Sequence, residues 1–432
     1  MSRNPKKYKI RKVRRFSYMY DSPRSTSSIV LRTLLSIAMV FVLAFVGWNA
    51  YGPIRDYFSG ALAAVSHFKE ENPVHSSVSS SMPTDAASTG ENPGSQPEET
   101  PEPAKPAELR AAFIPVAVLS DFDTLDDVLT QLEDSEINTV LFDLKDASGA
   151  VYYQSSSDLV AQAQAQSSQA VDLREVCRLL EERGLIPMGR LCAFADPQAS
   201  ARLSDATVKY MNTNMQWLDN SVENGGKGWL NPYSSQALEY LRTIVAEAAS
   251  QGVRRILLEQ YSFPTGVGLD FANFGQQAET ISRDAILSTC VNTLAQTAQE
   301  NNCQLSLYVS ALGALGQQNQ FYGDKNPLTF FDDVVIDVSP AQFGDGYISE
   351  TFTLEQPVLQ PYGTVKTVWE ALNSTLSGKE VAGMLQGYTA TGSLANNKVY
   401  HQEDIAAQIR ALDDCGIQNF ILYSPGGNYP TD

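Results

Sequence analysis

From Leu109 onward the chain repeats one pattern, a short apolar run followed by a longer amphipathic stretch. Parallel strands can be joined only by a long crossover, so runs that alternate with helices of ten or more residues predict βα units around a parallel sheet. Eight runs occur: 112–119 (AFIPVAVL), 139–144 (TVLFDL), 186–191 (IPMGRL), 255–261 (RILLEQY), 304–310 (QLSLYVS), 333–339 (DVVIDVS), 381–388 (VAGMLQGY) and 420–424 (FILYS). Their near-continuous apolarity suits strands covered on both faces. Between them, LREVCRLLEERG, SQALEYLRTIVAEAASQG and EDIAAQIRALDDCG read as helices that close on Gly184, Gly252 and Gly416, and SRDAILSTCVNTLAQTAQENN as another. Eight repeats in roughly 320 residues predict an α/β chain with one (β/α)8 TIM barrel over 109–432, in preference to two doubly wound domains. The Gln/Ala/Ser-rich stretch 154–170 reads as a surface insertion after the second strand.

Ahead of the barrel, about nineteen residues at 33–51 carry no charge, long enough as a helix to span the hydrocarbon layer of a bilayer. Nine of them are Leu, Ile, Val or Phe, worth roughly −4 kcal/mol together on an insertion scale, which tolerates Ser36 and Asn49. Residues 1–32 hold ten Lys or Arg against Asp21 alone, so this basic tail is expected in the cytoplasm and the C-terminal domain outside it. An uncleaved single-pass anchor in the cell membrane is favoured over a signal peptide, because the apolar run is long and no small-x-small site directly follows it. Residues 52–108 begin as a juxtamembrane segment and become a Pro, Ser and Glu-rich linker, expected to be a disordered and fairly extended stalk. The lipid bilayer is thus one expected partner.

The formal net charge is −18, and the residues after the basic tail carry −27. A surface so acidic argues against nucleic acid as a partner. Cys177, Cys192, Cys290, Cys303 and Cys415 are scattered, with no C-x-x-C pair and no histidine at metal spacing, so buried packing is expected and no metal or cofactor is implied. His401 is the one histidine of the domain and reads as a helix-start residue; the Gly266 and Gly268 pair lacks the strand-to-helix context of a nucleotide loop.

Working residues of a barrel lie at strand C-terminal ends and in the loops that follow. Those positions here are Asp143, Lys145 and Asp146; Arg190; Glu259, Gln260 and Tyr261; Tyr308; Asp337 and Gln342; Gln386 and Tyr388; Tyr423 and Asn428. Carboxylates among amides and aromatics suit glycoside hydrolysis, in which one acid protonates the leaving oxygen and a second acts as nucleophile or base. The structural alternative is an ion pair of Asp143 with Lys145 or Arg190.

The same residues resemble a bacterial glycoside hydrolase family of barrels distantly similar to the alpha-amylase type. A strand-two pattern apolar-D-x-K-D-x-x-G-x-x-x-Y is met by Phe142, Asp143, Lys145, Asp146, Gly149 and Tyr153. A strand-three pattern R-x-x-x-F-x-D-P is met by Arg190, Phe194, Asp196 and Pro197, and W-x-D-P-Y by Trp229, Asn231, Pro232 and Tyr233 with Asn for Asp. The strand-four pattern D-Y-V-R-F-P reads Glu259, Gln260, Tyr261, Ser262, Phe263, Pro264, and the acidic residue of strand five is replaced by Tyr308. By this resemblance Glu259 is expected as acid or nucleophile, and a second carboxylate would have to come from Asp143, Asp146 or Asp337. Lys145, Arg190, Trp229, Tyr233, Tyr261, Tyr308, Gln342, Tyr388 and Asn428 are the expected substrate contacts.

Two readings follow. One is a membrane-tethered glycosidase of an extracellular or cell-wall polysaccharide, working through Glu259 with Asp143 or Asp146. The other is a degenerate barrel that binds envelope glycan or a partner protein through Trp229, Tyr233, Tyr261 and Tyr308 without hydrolysis.

Overall fold

A computed structural model describes residues 108–430 apart from positions 134 and 393. The basic tail, the expected span at 33–51 and nearly all of the stalk lie outside the described residues, among which no helix is long and apolar enough to cross a membrane. Eight strands form a closed parallel ring: β1 (Arg110–Phe113), β2 (Thr139–Lys145), β3 (Ile186–Cys192), β4 (Arg255–Glu259), β5 (Gln304–Ser310), β6 (Asp333–Asp337), β7 (Glu380–Gln386) and β8 (Phe420–Tyr423). Each pairs with its sequence neighbours, and β1 closes the ring by pairing with both β2 (Ala111 beside Thr139) and β8 (Arg110 beside Phe420). The TIM-barrel expectation is met.

Six long helices cover the strands: α1 (Phe122–Glu133), α2 (Leu173–Glu182), α3 (Ser235–Ser250), α4 (Arg283–Glu300), α5 (Pro361–Leu372) and α6 (Gln402–Asp413). The Asp172 carboxylate caps α2 by accepting from Glu175 N, and the Ser234 hydroxyl caps α3 by accepting from Ala237 N. Gly184, Gly252 and Gly416 follow α2, α3 and α6 with positive φ, where a side chain would strain the turn. His401 does start α6, with the Asp404 carboxylate accepting from its backbone N–H.

The eight expected repeats need two corrections. Between β5 and β6 only short helical turns form, at Ala311–Ala314, Asn319–Tyr322 and Pro327–Thr329, because Gly313, Gly316, Gly323 and Pro327 interrupt any longer helix. The first apolar run is strand only to Phe113; Pro115, which lacks a ladder N–H, leads instead into a helical turn over Val116–Leu119. The 154–170 insertion carries a short helix (Asp158–Ala163) and most of a strand (Gln166–Val171) that pairs with Val151–Tyr153 beside the end of β2.

Two apolar layers hold the ring together. Outward rows such as Val140, Phe142 and Leu144 of β2 or Leu305, Leu307 and Val309 of β5 pack under the helices. Inward rows supply Ala111, Phe113, Leu141, Met188, Leu257, Val335, Ala382, Met384 and Ile421, a filled interior and not a pore. Strand side chains alternate faces, so one more step of two residues toward the C-terminal ends brings Asp143, Arg190, Glu259, Asp337 and Gln386 into the inward layer beside Tyr308 and Tyr423. The inner core turns polar at the mouth.

Candidate active site at the barrel mouth

Asp143 and Arg190 stand side by side in the register of β2 and β3, and Arg190 Nε donates to Asp143 Oδ1 at 2.6 Å. The same guanidinium lies 3.9 Å from Glu259 Oε1 on the next strand. Phe113 and Tyr423, whose rings pack on each other with centres 5.0 Å apart, lie 4.9 and 5.2 Å from the same guanidinium and give it a cation–π surface beside the two carboxyl groups. Laid end to end across one guanidinium, these contacts keep the two carboxyl groups within about 9 Å of each other. Asp143 Oδ2 has no partner among the described residues.

Glu259 differs from its neighbours. Its carboxyl accepts no hydrogen bond among the described residues and keeps only that long ion pair, with 18% of the side chain exposed. Burial pushes its pKa up to about 7; Arg190 opposes the rise, while Asp143 and Asp337 add to it. A carboxyl poised near neutrality at a barrel mouth suits general acid catalysis.

Asp337 at the end of β6 is buried, which raises its pKa, and donors oppose the rise. Its Oδ2 accepts from Tyr308 Oη at 2.8 Å and Gln342 Nε2 at 2.6 Å, and its Oδ1 accepts from Ser339 N at 3.0 Å. Tyr308 and Gln342 therefore serve as the frame of a third carboxylate. Tyr388 and Tyr423, ring centres 6.5 Å apart, are half-buried at the same rim.

Other expected site residues lie elsewhere. A β-bulge between Asp143 and Lys145 shifts the register, and Lys145 turns outward beneath α3. There it is fully buried, its Nζ 2.8 Å from Asp196 Oδ2, 3.3 Å from the Ala193 carbonyl and 6.0 Å from the Tyr240 ring. Lys145 of the strand-two motif thus pairs with Asp196 of the strand-three motif, and a Cβ at Gly149 would lie 2.2 Å from the same aspartate. Asp146 closes the turn after β2, accepting from Ser148 N and Oγ, Ala150 N and Tyr152 Oη. Neither residue joins the mouth carboxylates.

The expected aromatic face is mostly interior packing. Trp229 is 5% exposed and donates its indole N–H to Asp219; Tyr233 packs on Phe263 and Phe274 and donates to the Ile281 carbonyl. Tyr261 is buried against Tyr322 and Phe330. Asn428 is exposed in the loop after β8, where its carbonyl accepts from Ser424 Oγ. The contact of the Phe113–Tyr423 pair with Arg190 is not expected from the sequence motifs, although the inward parity of both rings is legible in the strands themselves. Among the described residues no group of His, Cys, Asp and Glu could hold a metal, and the five cysteines are free, four of them buried.

The closed eight-stranded parallel barrel has the TIM-barrel fold, with Glu259, Asp143 and the bridging Arg190 gathered at its C-terminal mouth. Residues 111–429 match the model of the family described as "Putative glycosyl hydrolase domain", and the chain belongs to that family. No curated protein sequence matches it. Among solved structures it is similar to the glycoside hydrolase domain of PgaB (BpsB) from Bordetella bronchiseptica, with a TM-score of 0.54, 13% identity, and coverage of 74% of this chain and 95% of that one. A hypothetical protein from Ruminiclostridium thermocellum is 23% identical over 45% of this chain and 96% of its own, with a TM-score of 0.40. The PgaB likeness establishes the shared fold.

Proposed function

We propose that the barrel is a glycoside hydrolase of the cell envelope, cleaving an extracellular or cell-wall polysaccharide with Glu259 as general acid and Asp143 as its carboxylate partner. The observation that carries this reading is the contrast between the two groups: Glu259 is raised to about 7 by burial, and Asp143 is ion-paired with Arg190. At neutral pH a large fraction of Glu259 keeps its proton for the glycosidic oxygen. Asp143 Oδ2 then either attacks the anomeric carbon or takes a proton from water. Separations of about 5–5.5 Å give the first, retaining course and about 6.5–9.5 Å the second, inverting one. Tyr388 and Tyr423 offer ring faces for sugars at the rim. The expected anchor and stalk would place this mouth outside the membrane, beside envelope glycan.

Incubation of the purified chain with a panel of cell-wall and extracellular polysaccharides tests the reading. Release of reducing ends is expected, lost in Glu259→Gln; no release from any member, or undiminished release by the variant, sinks it. The binding-only alternative draws less support from the geometry, since Trp229, Tyr233 and Tyr261 are packed inside.

A further inference from the structure

Beside the carboxylates, the loops after β2, β3 and β4 enclose a hollow of about 260 Å³ between Ala147, Pro197, Trp229, Gln260 and Thr265. These loops follow the strands that carry Asp143, Arg190 and Glu259, and Gln260 of its lining is the next residue after Glu259. Pockets for drug-sized ligands run about 300–1,000 Å³, so this one suits a single sugar ring. Trp229, only 5% exposed and with its indole N–H held by Asp219, borders the hollow as packed wall.

Gln260 is the unusual member. It directly follows Glu259 and holds φ at +50°, a left-handed conformation that glycine adopts without strain and a glutamine does not. Its main chain is pinned, the carbonyl accepting from Phe194 N at 3.0 Å, while its side chain is exposed and makes no hydrogen bond among the described residues. A strained residue whose free amide borders a hollow next to an acid fits a binding role better than a folding one. An amide presents two donors and an acceptor, the set that reads adjacent sugar hydroxyls. The opposite wall is rigid: a Cβ at Gly266 would lie 2.3 Å from the Asp219 carbonyl oxygen, so the β4 loop and the Asp219 segment are in direct backbone contact.

We infer that this hollow is a monosaccharide subsite flanking the point of cleavage, and that Gln260 sets its specificity by hydrogen bonding to neighbouring hydroxyls of a pyranose ring. The inference rests on the glycosidase reading. Gln260→Gly removes the amide and relieves the backbone, so its melting temperature should equal or exceed wild type, whereas a purely structural glutamine would lower it. Binding is measured by calorimetry with cello- and chito-oligosaccharides of two to six residues and with peptidoglycan fragments, in the Glu259→Gln background. Addition of Gln260→Gly should weaken the best-bound oligomer about 10-fold and remove its advantage over the next shorter one. Binding that is unchanged by Gln260→Gly, or a melting temperature that falls with it, overturns the subsite alone. No binding of any oligomer by Glu259→Gln overturns the glycosidase reading and the subsite together.

Discussion

Single side chains carry the sharpest consequences. Glu259→Gln should lower hydrolysis by about 10²–10⁴-fold, the usual contribution of a general acid. Activity of the wild type should fall as pH rises through about 7, because only protonated Glu259 can donate; an initial-rate profile reads this directly. The same group bears on stability. Its folded pKa is raised above the ordinary 4.5, so its favourable contribution is complete below that value and is lost as pH rises through about 7. Urea unfolding at pH 4 and pH 8 should therefore show the wild type losing on the order of 3 kcal/mol relative to Glu259→Gln. Lys145 and Asp196 behave differently, since both side chains are fully buried and paired. Asp196→Asn leaves a buried ammonium uncompensated and should cost about 3–5 kcal/mol, while Lys145→Met with Asp196→Leu should recover most of that loss. Thermal denaturation of the three variants decides it.

Among the elements, the seam that closes the ring has its own staple. Tyr429 Oη accepts from Phe113 N at 2.8 Å and lies 2.9 and 3.0 Å from the Phe113 and Leu422 carbonyls, tying β1 to β8 at the mouth. Tyr429→Phe should cost about 1 kcal/mol or somewhat more and speed amide exchange at Phe113, as seen by hydrogen exchange. Close packing also fixes small residues on the strands. A Cβ at Gly189 of β3 would meet Leu144 Cδ1 at 2.3 Å, so Gly189→Ala should destabilise by about 1–3 kcal/mol, measured by its urea midpoint. Strand positions were legible from apolar runs because burial on both faces leaves few polar interruptions. The absent helix after β5 and the turn at Pro115 were also written in the sequence as glycines and prolines, but run counting passes over them. The bulge in β2 carries no such mark, since Leu144 and Lys145 would suit an unbroken strand equally well.

At the scale of the whole chain, the tether and the barrel make separable predictions. If the proposed anchor holds, deleting residues 1–52 should move the protein from the membrane to the soluble fraction on ultracentrifugation. A deleted form that still pellets with the membrane would argue against the anchor. The barrel class followed from the sequence, because it depends on local periodicity and on where apolar runs stop; Glu259 stood out as a candidate through the family resemblance of the strand-four motif. Which groups face one another did not follow. Asp143 meets Arg190 and Glu259 while Lys145, two residues on, meets Asp196 beneath a helix, since one bulge turns a side chain to the opposite face of a strand. Trp229, Tyr233 and Tyr261 look like a sugar platform in sequence and are packing in space, because an aromatic ring serves either purpose and only its neighbours decide. The sequence determined the architecture and its chemical inventory, and long-range packing decided the partners, the burial and hence the proton affinity of Glu259.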